Sequence, residues 1–233
     1  MDNPLEQIRS IPARMLLALH WHGISLIQAP AVLQHLDLPV RNLADLADPQ
    51  GLLAALTPTT LYEFARTYTT STRWLETGRG EAVDLSYLNF VPGVFVARAR
   101  EQAQRGVLQD IYLLAMHPYM SLTAFTPVWP VLQLTHPVLG PGSPIYELWP
   151  LQHWHLEEER RAVKGAFRAL YRYFAHTQLT PKGVLLDGSI SGLCFEGYLH
   201  PAYALTEYRT AEWNLLEALT PRPEPGEWAS DDI

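Results

Sequence analysis

Between Thr126 and Pro150 the chain reads TPVWPVLQLTHPVLGPGSPIYELWP, with prolines at 127, 130, 137, 141, 144 and 150. Each proline fixes φ and removes a backbone donor, so the stretch is expected to be neither a helix nor a central strand. Trp129, Tyr146, Trp149 and several aliphatic residues make it too apolar for a free linker. A loop of this length and character is expected to pack down as an arm, with those three aromatics forming a partner surface. The whole chain holds 19 prolines in 233 residues, so long uninterrupted elements should be few.

Local signals elsewhere favour helices. Ser10 precedes IPARMLLALHW, with Pro12 in the first turn, and Gly23 is a natural stop. LIQAPAVLQHL and NLADLA follow as short helical pieces. Asp48-Pro49 and Thr57-Pro58 each pair a cap with a proline at the first helical position. Thr57 opens a longer helix running to near Gly78. Residues 1–78 therefore read as an orthogonal helical bundle.

Residues 79–220 read as a second, α-rich domain. It contains the proline-rich arm at 127–150 and a long amphipathic helix at 151–176. Val163, Ala166, Phe167, Leu170 and Phe174 recur there at threes and fours and should form a core face. Asp187-Gly188 signals a small β-hairpin at 183–199. VLQDIYLLAM, at 107–116, fits helix or buried strand equally. TEYRTAEWNLLEAL returns to helix. Residues 221–233 are an acidic tail with the composition of disorder. The expected fold class is mostly α.

The hydrophobic fraction of 48% supports a sizeable core. Of the net charge of −7, the tail supplies −3, from four acids against Arg222. The remainder is only mildly acidic, which argues against a general polyanion binder. A single cysteine, Cys194, excludes an intramolecular disulfide and suits a reducing compartment. The start lacks a basic region followed by an apolar one, and no run of ~18 apolar residues occurs. A cytoplasmic protein without a membrane partner is expected.

The letters HWH occur twice, at 20–22 and 153–155. HWHG at 20–23 resembles a copper-ligand motif of multicopper oxidases. Those proteins need further His-x-His motifs and a ligating cysteine on β-sandwiches, and Cys194 lies between Leu193 and Phe195. Residues two apart on a helix also point about 200° apart, so His20 and His22 would not share a metal there. LHWHGISLIQAPAVL resembles a helix-hairpin-helix element, which implies backbone amides meeting a phosphate, but Ser25 replaces its second glycine. Ordinary helix packing explains the same letters.

The second copy has stronger neighbours. His155 and Glu159 are four apart, a spacing that resembles the ligand helices of di-iron and di-manganese bundles. Ala162 stands where such bundles carry a further histidine. His153, His155 and Glu159 also match a cupin pattern, but cupin ligands sit on strands. Glu196 and His200 could complete a site. The candidate metal ligands are thus His153, His155, Glu159, Glu196 and His200, for iron, manganese or zinc. The bland alternative is a solvated acidic helix start.

Arg160, Lys164, Arg168 and Arg172 hold a spacing of four, widened by Arg161. They form a candidate ridge for a phosphoanion, nucleic acid or acidic protein surface. GSISG at 188–192 resembles a hydrolase elbow out of register, with Ile190 where serine is required. Cys194 reads as buried and inert. The first functional reading is an intracellular recognition protein that binds another protein through the aromatic arm and the basic ridge. The alternative is a metal-dependent redox or hydrolytic enzyme.

Overall fold

A computed structural model describes residues 10–84, 91–115, 128–149, 157–207, 211–213 and 215. Among them are helices α1 (Ile11–Trp21), α2 (Ala29–His35), α3 (Leu43–Leu46), α4 (Pro49–Ala55), α5 (Pro58–Thr67) and α6 (Thr72–Thr77). Then come α7 (Pro92–Gln104), β1 (Leu108–Ala115), β2 (Val128–His136), β3 (Gly140–Leu148) and α8 (Glu157–Tyr173). The described residues end with β4 (Lys182–Leu185), α9 (Gly188–Phe195), α10 (Pro201–Glu207) and β5 (Ala211–Trp213).

The fold is mixed α/β, which corrects the mostly α expectation. Five strands form one sheet in the order β3-β2-β1-β4-β5. Only β1 and β4 run parallel; the other neighbours are antiparallel. The ambiguous segment around 107–116 is strand β1, and the proline-rich arm is the β2–β3 hairpin.

The prolines fit because of where their nitrogens point. The amide of Trp149 donates to the Pro130 carbonyl at 2.9 Å, so the backbone polar groups of Pro130 face β3. Trp149 lies just past the end of β3, so the missing N–H falls where that ladder stops. Pro144 pairs with Thr135, two positions from the pair Tyr146–Gln133. Alternating residues of an antiparallel ladder turn their polar groups to opposite sides. Tyr146 directs its N–H away from β2, so Pro144 lacks a donor only on the outer side of an edge strand.

Two further expectations change. Asp187-Gly188 starts a helix instead of a hairpin: the Asp187 carbonyl accepts from Ile190 and Ser191 as α9 begins. Residues 211–213 form β5 where helix was expected, because β4 offers them a ladder partner.

Local capping chemistry does set the N-terminal helices. Ser10 accepts from the Ala13 amide, Asp48 from Gln50 and Gly51, and Thr57 from Thr60. The long helix expected from Thr57 breaks in two. Thr69 takes a left-handed φ of +49°, and Ser71 caps α6 by accepting from Trp74.

Period-two alternation gives the sheet two apolar faces. Ile111, Leu113 and Leu132 meet α7 and α8, where Val163, Phe167, Leu170 and Phe174 are buried as the helix periodicity required. Leu114, Trp129, Val131 and Val184 meet α9 and α10. The N-terminal helices have their own core around Met15, Leu33, Phe64 and Trp74. Among the described residues no helix is long and apolar enough to cross a membrane.

Candidate functional site

A cleft of about 570 Å³ opens between α5 and the α7 side of the sheet. Ala65, Arg66, Thr67 and Thr69 form one wall. Val94 and Arg98 of α7, with Leu134 of β2, form the floor and the opposite side. Alternation along β3 turns Ile145 and Glu147 into the cleft, and Trp149 follows them. The former arm residues therefore divide. Trp149 lines this cleft with its ring 5.5 Å from Phe95, whereas Trp129 is buried against Phe195 on the other face.

The charges of the cleft are unequally committed. Arg98 grips both carboxylate oxygens of Glu147, at 3.0–3.3 Å, and also approaches Glu101 at 3.5 Å. Burial alone would lower the Arg98 pKa; the bonds and charge of Glu147, with Glu101, raise it overall. Trp149 donates its indole N–H to the same carboxylate at 3.1 Å. Arg66 is exposed, and no ion pair among the described residues engages it.

Arg66 and Thr67 also line a second cavity of about 250 Å³, on the far side of the last turn of α5. Val32 and Leu36 supply apolar wall there, and His35, Glu63 and His136 supply polar groups. Thr69 closes the turn between the cavities. The Thr70 amide reaches back to the Ala65 carbonyl at 2.9 Å, so Thr69 sits where such a helix end favours glycine. A β-branched residue in this conformation is strained, and strain of this kind clusters at binding sites.

Behind the second cavity, three buried histidines converge on Tyr68. Nδ1 of His22 accepts from the Tyr146 amide at 3.2 Å, which leaves Nε2–H to donate to the Tyr68 carbonyl at 3.3 Å. Nδ1 of His136 accepts from the amides of Val138 and Leu139, so its Nε2–H donates to the Tyr68 hydroxyl at 3.0 Å. Nδ1 of His200 accepts from Ala202 at the start of α10. Its Nε2–H faces the Tyr68 carbonyl but has no hydrogen bond of its own. The His22 and His200 rings lie 4.5 Å apart.

Burial holds all three neutral. It lowers His22 to about 3, with the Tyr68 carbonyl opposing and His136 adding to the shift. It lowers His136 to about 4, helped by His35. It takes His200 well below its ordinary value, helped by His22. Burial also pushes Tyr146 up to about 12 and the Cys194 thiol up to about 12, so neither is a ready nucleophile.

Of the residues singled out for metal, Glu196 and His200 alone have described side chains. His153 and His155 lie outside the described residues, as does the side chain of Glu159 in α8. Glu196 is exposed past the end of α9, whereas His200 is fully buried with its Nδ1 already occupied. Among the described residues no group of three or more His, Cys, Asp or Glu could hold a metal ion. On the basic ridge, Arg161 and Arg172 are exposed, Lys164 and Arg168 are half-buried, and the side chain of Arg160 lies outside the described residues. Arg161, Lys164 and Arg168 are each engaged in further interactions, so they are not a bare strip of charge.

Sequence reading weighs His22 only as a metal ligand and sets it aside, and it passes over Tyr68, His136, Arg66, Arg98 and Glu147. A signal existed for His22 alone. The glycine stop at Gly23 makes it the terminal cap of α1, where the chain turns and a side chain leaves the helix surface. No protein-family model, curated protein or solved structure matches this chain.

Proposed function

We propose that this is an intracellular recognition protein that holds an apolar segment of a partner protein in the cleft between α5 and α7. An acidic group of that segment meets Arg66. One observation carries this reading: Arg66 borders both cavities without an ion-pair partner among the described residues, while Arg98 beside it is committed to Glu147.

The cleft volume lies within the ~300–1,000 Å³ range of ligand pockets, whose walls are mainly apolar with a few placed polar groups. Leu134, Ile145, Val94 and Trp149 supply the apolar part, and Val94 is 53% exposed at the rim. Trp and Arg are the side chains most enriched where binding energy concentrates. The proline- and aromatic-rich hairpin thus contributes through Ile145, Glu147 and Trp149. The single cysteine suits a reducing compartment.

Panning a displayed random-peptide library tests the reading, with Arg66→Glu and Val94→Trp variants alongside the parent protein. The parent should enrich peptides that combine apolar residues with Asp, Glu or a free C-terminal carboxylate. Val94→Trp, which fills the rim, should lose them, and Arg66→Glu should weaken them roughly tenfold or more, as expected for a charged hydrogen bond. Equal enrichment by all three proteins would sink the proposal.

A further inference from the structure

The three histidines around Tyr68 stand at the joint between the N-terminal helices and the sheet. His22, at the end of α1, reaches across it to the Tyr146 amide on β3. His136, at the end of β2, reaches back to the Tyr68 hydroxyl after α5. His200, before α10, lies against His22 and against Trp21 of α1, its ring 6.1 Å from the indole.

Each ring is fixed in one tautomer by the same device. A backbone N–H donates to Nδ1, so the ring proton sits on Nε2. An imidazolium carries protons on both nitrogens and accepts from nothing. Protonation in place is therefore costly. It requires the loss of the bonds from Tyr146 at His22, from Val138 and Leu139 at His136, or from Ala202 at His200.

The surroundings offer an imidazolium little. His22 faces Tyr68, Tyr146 and His200 and feels the charge of His136, and His200 faces Trp21, His22 and Tyr68. His136 faces Tyr68, and the cavity it borders brings His35, Glu63 and Arg66. Glu63 is the one carboxylate in that wall among the described residues, and it is exposed.

We propose that His22, His136 and His200 form an acid-released latch: below neutral pH they exchange their backbone bonds for protons, and the N-terminal helices part from a sheet that stays folded. In the parted state each histidine regains an ordinary affinity for protons. Linkage then favours parting by up to about tenfold per pH unit per histidine below pH ~6.5. Since α5 is one wall of the cleft, parting would also release whatever the cleft holds. That consequence rests on the recognition reading; the latch itself does not.

Amide hydrogen exchange on the full chain from pH 7.5 to 5, with the intrinsic rate divided out, tests the latch without any ligand. From pH 6.5 to 5.5 the protection of Tyr146, Val138, Leu139 and Ala202 should fall ~30-fold or more, the signature of two or three linked protons. Ile111 and Leu113 in β1, which open only on global unfolding, should stay better protected than these four at every pH. Flat protection overturns the proposal. So does protection in β1 as low as at these four amides, which would mean that they open only when the whole chain unfolds. Asparagine places a carbonyl oxygen near the position of Nδ1 but does not titrate. His22→Asn and His136→Asn should each reduce the dependence by about tenfold per pH unit, and an unchanged slope in both overturns the latch. Should neither variant fold, ring 15N spectra of the parent protein decide: three Nε2–H tautomers at pH 7.5 are expected. An Nδ1–H tautomer or an imidazolium at any of the three overturns it.

Discussion

The amide of Tyr146 donates to Nδ1 of His22 across 3.2 Å, joining residues 124 apart in sequence. Both groups are buried, so removing the ring strands two partners at once, the Tyr146 N–H and the Tyr68 carbonyl. His22→Leu should cost about 2–5 kcal/mol, from an unmet donor and acceptor of ~1–3 kcal/mol each. His22→Asn should cost distinctly less. Urea unfolding of both variants checks the order, and a cost for leucine no greater than for asparagine would contradict it.

Acid should weaken the fold globally as well as at the joint. The folded-state pKa values of His22, His136 and His200 lie below the ordinary histidine value. The unfolded chain therefore binds more protons as pH falls below ~6.5. Their neutral forms contribute stability that is present above pH ~6.5 and shrinks as pH drops towards about 4. The maximum slope is ~1.4 kcal/mol per pH unit for each histidine, so ~4 kcal/mol for three. Chemical denaturation at pH 7.5, 6 and 5 should show the midpoint falling, and a midpoint that rises on acidification would refute the account.

Thr69 holds a left-handed conformation that costs a β-branched residue roughly 1–2 kcal/mol. Thr69→Gly removes that strain but frees the unfolded chain by ~0.4–1 kcal/mol. The net expectation is a gain of about 0.5–1 kcal/mol, or roughly 2 °C in melting temperature. A lower melting temperature would show that contacts of the threonine outweigh its backbone strain.

Arg98 and Glu147 should be coupled, and only modestly. The Arg98 side chain is 36% exposed, so water screens the pair in spite of its two-oxygen grip. A double-mutant cycle with Arg98→Met and Glu147→Gln should return ~0.5–1 kcal/mol of interaction. A value near zero would mean that Glu147 is held by Trp149 alone.

The placement of prolines in β2 gives a sharper test of the ladder. Leu132 pairs with Glu147 at a position whose backbone groups face β3, two residues along from Pro130. Leu132→Pro should therefore lose an internal ladder bond and cost ~3 kcal/mol or more, whereas Pro130→Val should change stability little. Comparable effects at both positions, read by thermal melting, would show that the register argument is wrong.

Much of the N-terminal half was legible because its determinants are local. Ser10, Asp48 and Thr57 cap helices by bonding amides two or three residues on, and the 3.6-residue period marked the buried face of α8. What was not legible depends on pairing. Whether a strand tolerates Pro130 turns on which neighbour its nitrogen faces, and that neighbour lies beyond a turn. Asp187-Gly188 has the chemistry of a hairpin turn and of a helix start alike; the choice was made by what β1 and the α9 contacts required. The site suffered most. Spacing drew attention to His155 and Glu159, whereas His22, Tyr68, His136 and His200 meet only because the sheet edge docks against the helices.

That docking has a consequence for self-association. The outer rim of β3 is a row of backbone groups on which another chain could build a further strand. Here His22 consumes the Tyr146 donor, Pro144 offers none, and Gln28 ties down the Ser143 hydroxyl at 2.9 Å. A fragment cut after residue 84 would lose His22 and Gln28 together. It should oligomerise edge to edge even with its own apolar layers intact, while the intact chain is guarded against fibril-like stacking by its first two helices.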